Sequence, residues 1–224
     1  MTTFQRARSE AQREIRRRAI LNAAAGMLAE MPVAQVSLNE LSRRAGLAKS
    51  NVLRYFDSRE AVLLELLNSA WQEWLLQLEQ TLVAVDAGAP TAERGDQLAA
   101  ALATSLASRP VLCDLLSAQA AVLERNVSPQ VAAAFKRAAM ANVAALSRLV
   151  LGCVGELGEH DSFRLAGAAV MVAGAVWPNA QPSAAMLAAY QADPELASMR
   201  LDFTATLREV LEVLMSGLLA RSSR

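Results

Sequence analysis

The stretch from Ser37 to Phe56 constrains this chain more than any other. Ser37-Leu38-Asn39-Glu40 has the form of a capping box. In it the Ser hydroxyl and the Glu carboxylate each satisfy a backbone donor that a helix start leaves orphaned. Leu38, Leu41 and Ala45 then share one face of a short helix. Gly46 suits the left-handed position just past a helix end, and Leu47 turns back inward. A third short helix is expected from about Lys49 to Phe56, with Val52 and Phe56 on its inner face. Two brief helices about a glycine turn, closing a small core, form a helix-turn-helix. The outer face of the second helix is then free to enter a DNA major groove.

That outer face holds Lys49, Ser50, Asn51, Leu53, Arg54 and Tyr55. Lys and Arg neutralise phosphates, and Ser, Asn and Tyr donate to phosphate oxygens. Asn can also read adenine and Arg guanine. The charge distribution agrees. Net charge is zero overall, yet residues 1–60 carry +5 and the remainder −5. A basic first quarter on an acidic body points one end at a polyanion. Charge alone would fit a solvated basic helix equally well.

The rest of the chain reads as all-α, with about nine helices in total. Apolar residues make up 54% and aromatics only 4%, which favours helix over sheet and supplies a sizeable core. Ser9 to Gln12 has a capping-box form and is expected to open a first amphipathic helix through Ile15, Ala19, Ile20, Ala23, Met27, Leu28 and Met31, ending before Pro32. Arg16, Arg17 and Arg18 fan around it, so at most two face one partner. Asp57-Ser58-Arg59-Glu60 caps a long fourth helix. Helical pattern resumes from Thr91 to Ala107, is punctuated at Arg109-Pro110, and continues to about Arg125. Ser128-Pro129 is an N-cap followed by Pro at the first helical position. Further helices are expected to about Val154, over Asp161–Trp177, around Ala184–Tyr190 and over Leu201–Leu219.

Residues 37–56, with Asp57 to Leu63 after them and Arg18 to Ala24 before, resemble the TetR family of repressors. The likeness covers about residues 13–75. It implies a three-helix DNA-binding domain over residues 10–60, joined by a long helix to an effector-binding and dimerisation domain over 61–224. Carried onto this sequence, it implies that Ser37 caps the second helix and approaches phosphate. Lys49, Asn51 and Tyr55 would contact the DNA backbone, Ser50, Leu53 and Arg54 would face the groove, and Arg59 would reach a flanking phosphate. Arg44 belongs to the same candidate set. Leu53 departs from the Tyr that members usually carry; it can pack on a thymine methyl but cannot donate a hydrogen bond.

The resemblance also implies a homodimer on palindromic double-stranded operator DNA and a small-molecule effector. Helix 161–177 is rich in small residues, and helix 201–219 carries Leu207, Val210, Leu211, Leu214 and Leu218 at helical spacing. Two such helices from each subunit could form a four-helix interface, or both could be intramolecular core. The candidate effector-binding groups are the bulky residues expected to face the interior: Trp71, Trp74, Cys113, Phe135, Met140, Met171 and Trp177. Gln119, Asn142 and Ser147 are candidate polar partners. With no charged cluster among them, a lipophilic, largely uncharged effector is expected.

A helical enzyme is the competing class. The one histidine, His160, lies in a Gly-rich connection with no second His and no Cys-His pair, and no phosphate loop or dinucleotide fingerprint is present. No catalytic residue, cofactor or metal is expected. A pure interaction module would explain amphipathic helices but not the basic, capped residues 37–56. Cys113 and Cys153 fit no metal or redox spacing and are expected to be buried. No secretion signal is visible at the start, and the apolar run from Leu165 to Trp177 is too short to span a bilayer. A cytoplasmic protein without membrane contact is therefore expected.

Overall fold

A computed structural model describes residues 3–222, with side chains placed over residues 11–221. Among the described residues there are eleven α-helices and no strand. They are α1 (Thr3–Leu28), α2 (Leu38–Arg44), α3 (Lys49–Val52), α4 (Arg59–Leu82), α5 (Thr91–Ala107), α6 (Pro110–Ala118), α7 (Pro129–Cys153), α8 (Gly158–Asn179), α9 (Ala184–Ala192), α10 (Pro194–Ala197) and α11 (Phe203–Ser222). A π-helical turn, Gln119–Leu123, follows α6. Two prolines account for the count above nine: Pro110 separates α6 from α5, and Pro194 opens α10 behind the Asp193 cap.

Several boundaries differ from the sequence expectation for local reasons. The first helix already runs from Thr3, so Ser9 sits inside it rather than at an N-cap. Ile15 does not reach the core; it is 67% exposed, and the first buried side chain of α1 among residues 11–28 is that of Ile20. α8 starts at Gly158, whose φ of +69° lets the chain leave the preceding 3-10 turn. It also runs past Pro178, which lies in the last turn, where a missing N–H leaves only one carbonyl unpaired.

The chain forms two compact units. The first holds the residues up to Ser69 together with Ala118–Lys136. Its core is made by Ile20, Ala24 and Met27 of α1, Leu41 of α2, Val52 of α3, Phe56, and Val62, Leu63 and Leu67 of α4. Full burial of each large side chain contributes about 1.5–3 kcal/mol. Within this unit the cap of α7 is tied down: the Ser128 hydroxyl accepts from Val131 N at 3.3 Å and donates to the Asp57 carboxylate at 2.8 Å.

The second unit holds Ala70–Ser117 and the residues from Arg137 onward. There α11 packs on α5 and α8. Glycine sets the closeness of approach. A Cβ on Gly95 would lie 3.0 Å from the Met215 sulfur, and one on Gly174 only 3.1 Å from the Leu116 carbonyl oxygen. Ala166, Ala169 and Ala173 of α8 are fully buried in the same way. Part of the small-residue face of α8 thus serves contacts inside the chain. No single helix among the described residues is long and apolar enough to cross a membrane.

Candidate nucleic-acid interface

The helix-turn-helix geometry follows from residues 37–47. The Ser37 hydroxyl accepts from Glu40 N at 3.2 Å and so caps α2. At the other end Gly46 takes φ +64°, with Gly46 N donating to Arg43 O at 3.2 Å and Leu47 N to Ser42 O at 3.0 Å. This pair of bonds is a Schellman closure, and the left-handed residue it needs is the glycine. α3 then begins at Lys49. It is shorter than the sequence pattern suggests, ending at Val52. Tight turns carry the chain on, with Arg54 N donating to Asn51 O and Tyr55 N to Val52 O.

The reciprocal half of the Ser37–Glu40 box is absent. Glu40 instead accepts from Arg43 (2.9 and 2.6 Å) and from Arg44 (2.9 Å). Those bonds, that to Arg43 first, hold its carboxyl down to about 2. Two guanidiniums at the next helical turn outcompete one backbone N–H for the same oxygens.

The candidate DNA-binding residues divide into two groups. Lys49, Ser50, Asn51 and Arg54 are exposed, Leu53 is 43% exposed, and Tyr55 is half-buried. They form one solvent-facing edge above buried Val52 and Phe56. Arg44 and Arg59 have other work. Arg44 bridges Glu40 to Glu30, donating to the latter at 2.7 Å. Arg59 donates to the Val36 carbonyl at 2.7 Å and pairs with Glu60 at 2.9 Å. Both fasten the head together.

Arg17 does the same, and the sequence pattern did not single it out among its neighbours. Its guanidinium donates to the Tyr55 carbonyl at 2.8 Å, pairs with Glu65, and lies 4.5 Å from the centre of the Phe56 ring. Its helical spacing to the core residues Ile20 and Ala24, which puts all three on one face, was the one available hint.

The candidate effector-binding residues do not all come together. Trp71, Trp74 and Cys113 are buried in the second unit. The Trp74 indole N–H donates to the Ser105 hydroxyl at 3.0 Å. Trp71 Nε1–H, also buried, finds no acceptor among the described residues. Trp177 is half-buried and stands edge-on to Phe203, ring centres 5.0 Å apart. Phe135 is buried but belongs to the first unit. Met140 and Met171 do not face the interior; they are 65% and 72% exposed. α7 and α8 carry apolar residues around most of their circumference, so periodicity could not say which side is inside. Cys153 is only half-buried, unlike Cys113. Among the described residues no group of His, Cys, Asp and Glu could hold a metal.

Comparison with known proteins agrees with this architecture. The family model described as "Bacterial regulatory proteins, tetR family" matches residues 20–66, and that described as "Tetracyclin repressor-like, C-terminal domain" matches residues 68–222. Among curated proteins, none matches by sequence. Several solved structures share the fold. A possible TetR family transcriptional regulator from Streptomyces coelicolor A3(2) superposes with TM-score 0.59 at 17% identity, covering 92% of this chain and 99% of its own. A TetR transcriptional regulator from Rhodococcus sp. RHA1 gives 0.56 at 15%, covering 96% and 98%. The transcriptional regulator FadR from Bacillus subtilis, solved in complex with stearoyl-CoA, gives 0.55 at 16%, covering 89% and 97%. With both family models matched end to end on a capped helix-turn-helix and a helical body, the chain belongs to the TetR family and is a DNA-binding transcriptional regulator.

Proposed function

We propose that the protein is a homodimeric, ligand-responsive repressor that reads operator DNA through the edge formed by Lys49, Ser50, Asn51, Leu53, Arg54 and Tyr55. The observation carrying this is the division of the head's polar groups. Arg44 and Arg59 are consumed by internal bonds, while the α3 edge is left open to solvent above a fixed core. Lys49, Asn51 and Tyr55 contact the backbone, and Ser50, Leu53 and Arg54 face base edges. Ser37 caps α2 and approaches phosphate. Arg44 and Arg59 act by holding α2 and α4 in place.

Dimerisation through α8 and α11 is supported by apolar groups that the single chain leaves in water. Phe163 and Met171 on α8 and Val213 on α11 are 43%, 72% and 67% exposed, beside a groove lined by Leu165, Ala168, Leu214 and Leu218. Such a patch is a common mark of an interface. Two heads held by that interface would read a palindrome with half-sites one helical turn or a multiple apart.

A lipophilic effector is supported by the apolar second unit; the stearoyl-CoA bound by the Bacillus subtilis FadR shares the long apolar chain but not the largely uncharged character expected from the sequence. Trp71 offers a buried N–H that a ligand oxygen would satisfy. The ligand acts by favouring one spacing of the two heads, since it can shift the equilibrium only by its differential affinity. A thermal-shift screen tests this. Fatty acids, acyl-CoAs or uncharged lipophiles should raise the melting temperature and release operator DNA; stabilisation by chain-free charged metabolites alone would contradict it.

A further inference from the structure

We infer that Arg13 and Arg16 of α1 form a second phosphate-gripping track, which follows the DNA backbone beside the groove-reading edge and meets that edge at Arg54. The inference rests on the reading of the first unit as a DNA-binding head. Most cations of that head are already engaged. Arg17 pairs with Glu65, Arg18 with Glu14, Arg43 with Glu40, Arg44 with Glu30 and Glu40, and Arg59 with Glu60. Arg13, Arg16, Lys49 and Arg54 are exposed and have no acid partner among the described residues. Three of these four line one groove of about 760 Å³, too large for a single bound ion, with Gln12 and Tyr55 on its walls.

Gathering three cations with no ion-pair partner among the described residues around one groove raises the self-repulsion of the folded head, and a polyanion relieves it. The spacing suits DNA. Arg13 and Arg16 are three residues apart on one helix face, a rise of about 4.5 Å. A single DNA strand presents a phosphate about every 3.4 Å along the axis, so the two side chains can address neighbouring phosphates. Gln12 and the Tyr55 hydroxyl add neutral donors, which position backbone without reading sequence. Ile15, 67% exposed and lining the same groove, offers an apolar surface for the sugars. Arg54 sits where the track meets the α3 edge.

The test uses full-length protein and an operator duplex that the wild type selects from random-sequence DNA. Affinity is measured over a salt series, with hydroxyl-radical footprinting, for wild type, R13Q/R16Q, R13K/R16K, K49A and R18Q. Arg18 is a cation of the same helix outside the groove. R13Q/R16Q should keep the base preference and lower the slope of log affinity against log salt by about 0.9 for each phosphate no longer neutralised. It should also uncover the flanking backbone in the footprint, while R13K/R16K restores slope and protection. Wild-type slope and footprint in R13Q/R16Q, with binding still weakened in K49A, would overturn the track and leave the DNA-binding head standing. An equal loss in R18Q would also overturn the track, since charge alone would then suffice. If the wild type enriched no sequence, both readings would fall together.

Discussion

The Arg17 guanidinium lies over the Phe56 ring, 4.5 Å from its centre, and donates to the carbonyl of the neighbouring Tyr55 at 2.8 Å. One side chain from α1 therefore fixes the turn that follows α3 and, through Glu65, the first part of α4. Replacing it by Ala removes a cation–π contact and a charged hydrogen bond and strands a carbonyl. Both ion-pair partners are partly exposed, so solvent screens the Coulomb share. Arg17→Ala should cost about 1–2 kcal/mol in urea unfolding. Arg17→Lys should recover only part, because an ammonium lacks the planar fork that serves a ring, a carbonyl and a carboxylate together.

Acid should loosen the same head through Glu40. Its carboxyl ionises near 2 in the folded protein, against an ordinary value of 4.5, because Arg43 and Arg44 bond to the charged form. A group whose folded value is depressed contributes stability above its unfolded value and loses it as pH falls through the folded one. Wild type should therefore exceed Glu40→Gln in melting temperature at neutral pH. The gap should shrink as pH falls from about 4.5 to about 2. Added salt should narrow it too, since the carboxylate is partly exposed. A gap that did not change with pH would count against the Arg43–Glu40–Arg44 cluster.

The two glycines in the middle of α8 should answer differently to alanine. A Cβ on Gly167 meets only Val143, at 4.0 Å, whereas one on Gly174 meets the Leu116 backbone at 3.1 Å. Alanine in a helix interior gains up to about 1 kcal/mol over glycine. Gly167→Ala should therefore raise the melting temperature. Gly174→Ala should lower it, because backbone must move to admit the methyl group.

The two thiols should separate cleanly. Burial pushes the Cys113 thiol up to about 12, and its Sγ–H donates to the Leu106 carbonyl at 3.3 Å. Cys153 is also raised by burial but is only half-buried. Native-state alkylation should label Cys153 first and reach Cys113 only on unfolding, with mass spectrometry of the peptides as the readout.

Much of the head was legible in the sequence because its signals are local. Ser37, Gly46 and Ser58 each mark a helix end within three or four residues, and each has the geometry its residue type implies. The roles of Arg17, Arg44 and Arg59 were not legible. Their partners, Tyr55, Glu30 and Val36, lie 38, 14 and 23 residues away, and no periodicity reports such pairings. The second unit was harder still. Its helices are apolar on several sides, so Met140 and Met171 share a pattern with buried residues while standing in water. The cap at Ser9 failed for the opposite reason: a local motif is present, but the helix begins upstream of it.

Whether residues 37–56 read DNA is settled by comparing the affinity of the full-length protein for its selected operator with that for a scrambled duplex of equal length, across a salt series. Binding should be tighter to the operator, affinity should fall steeply with salt on both duplexes, and Lys49→Ala should be weakened on both alike. Equal affinity for the two duplexes, or wild-type behaviour in Lys49→Ala, would contradict a helix-turn-helix that grips backbone through Lys49 and reads bases beside it.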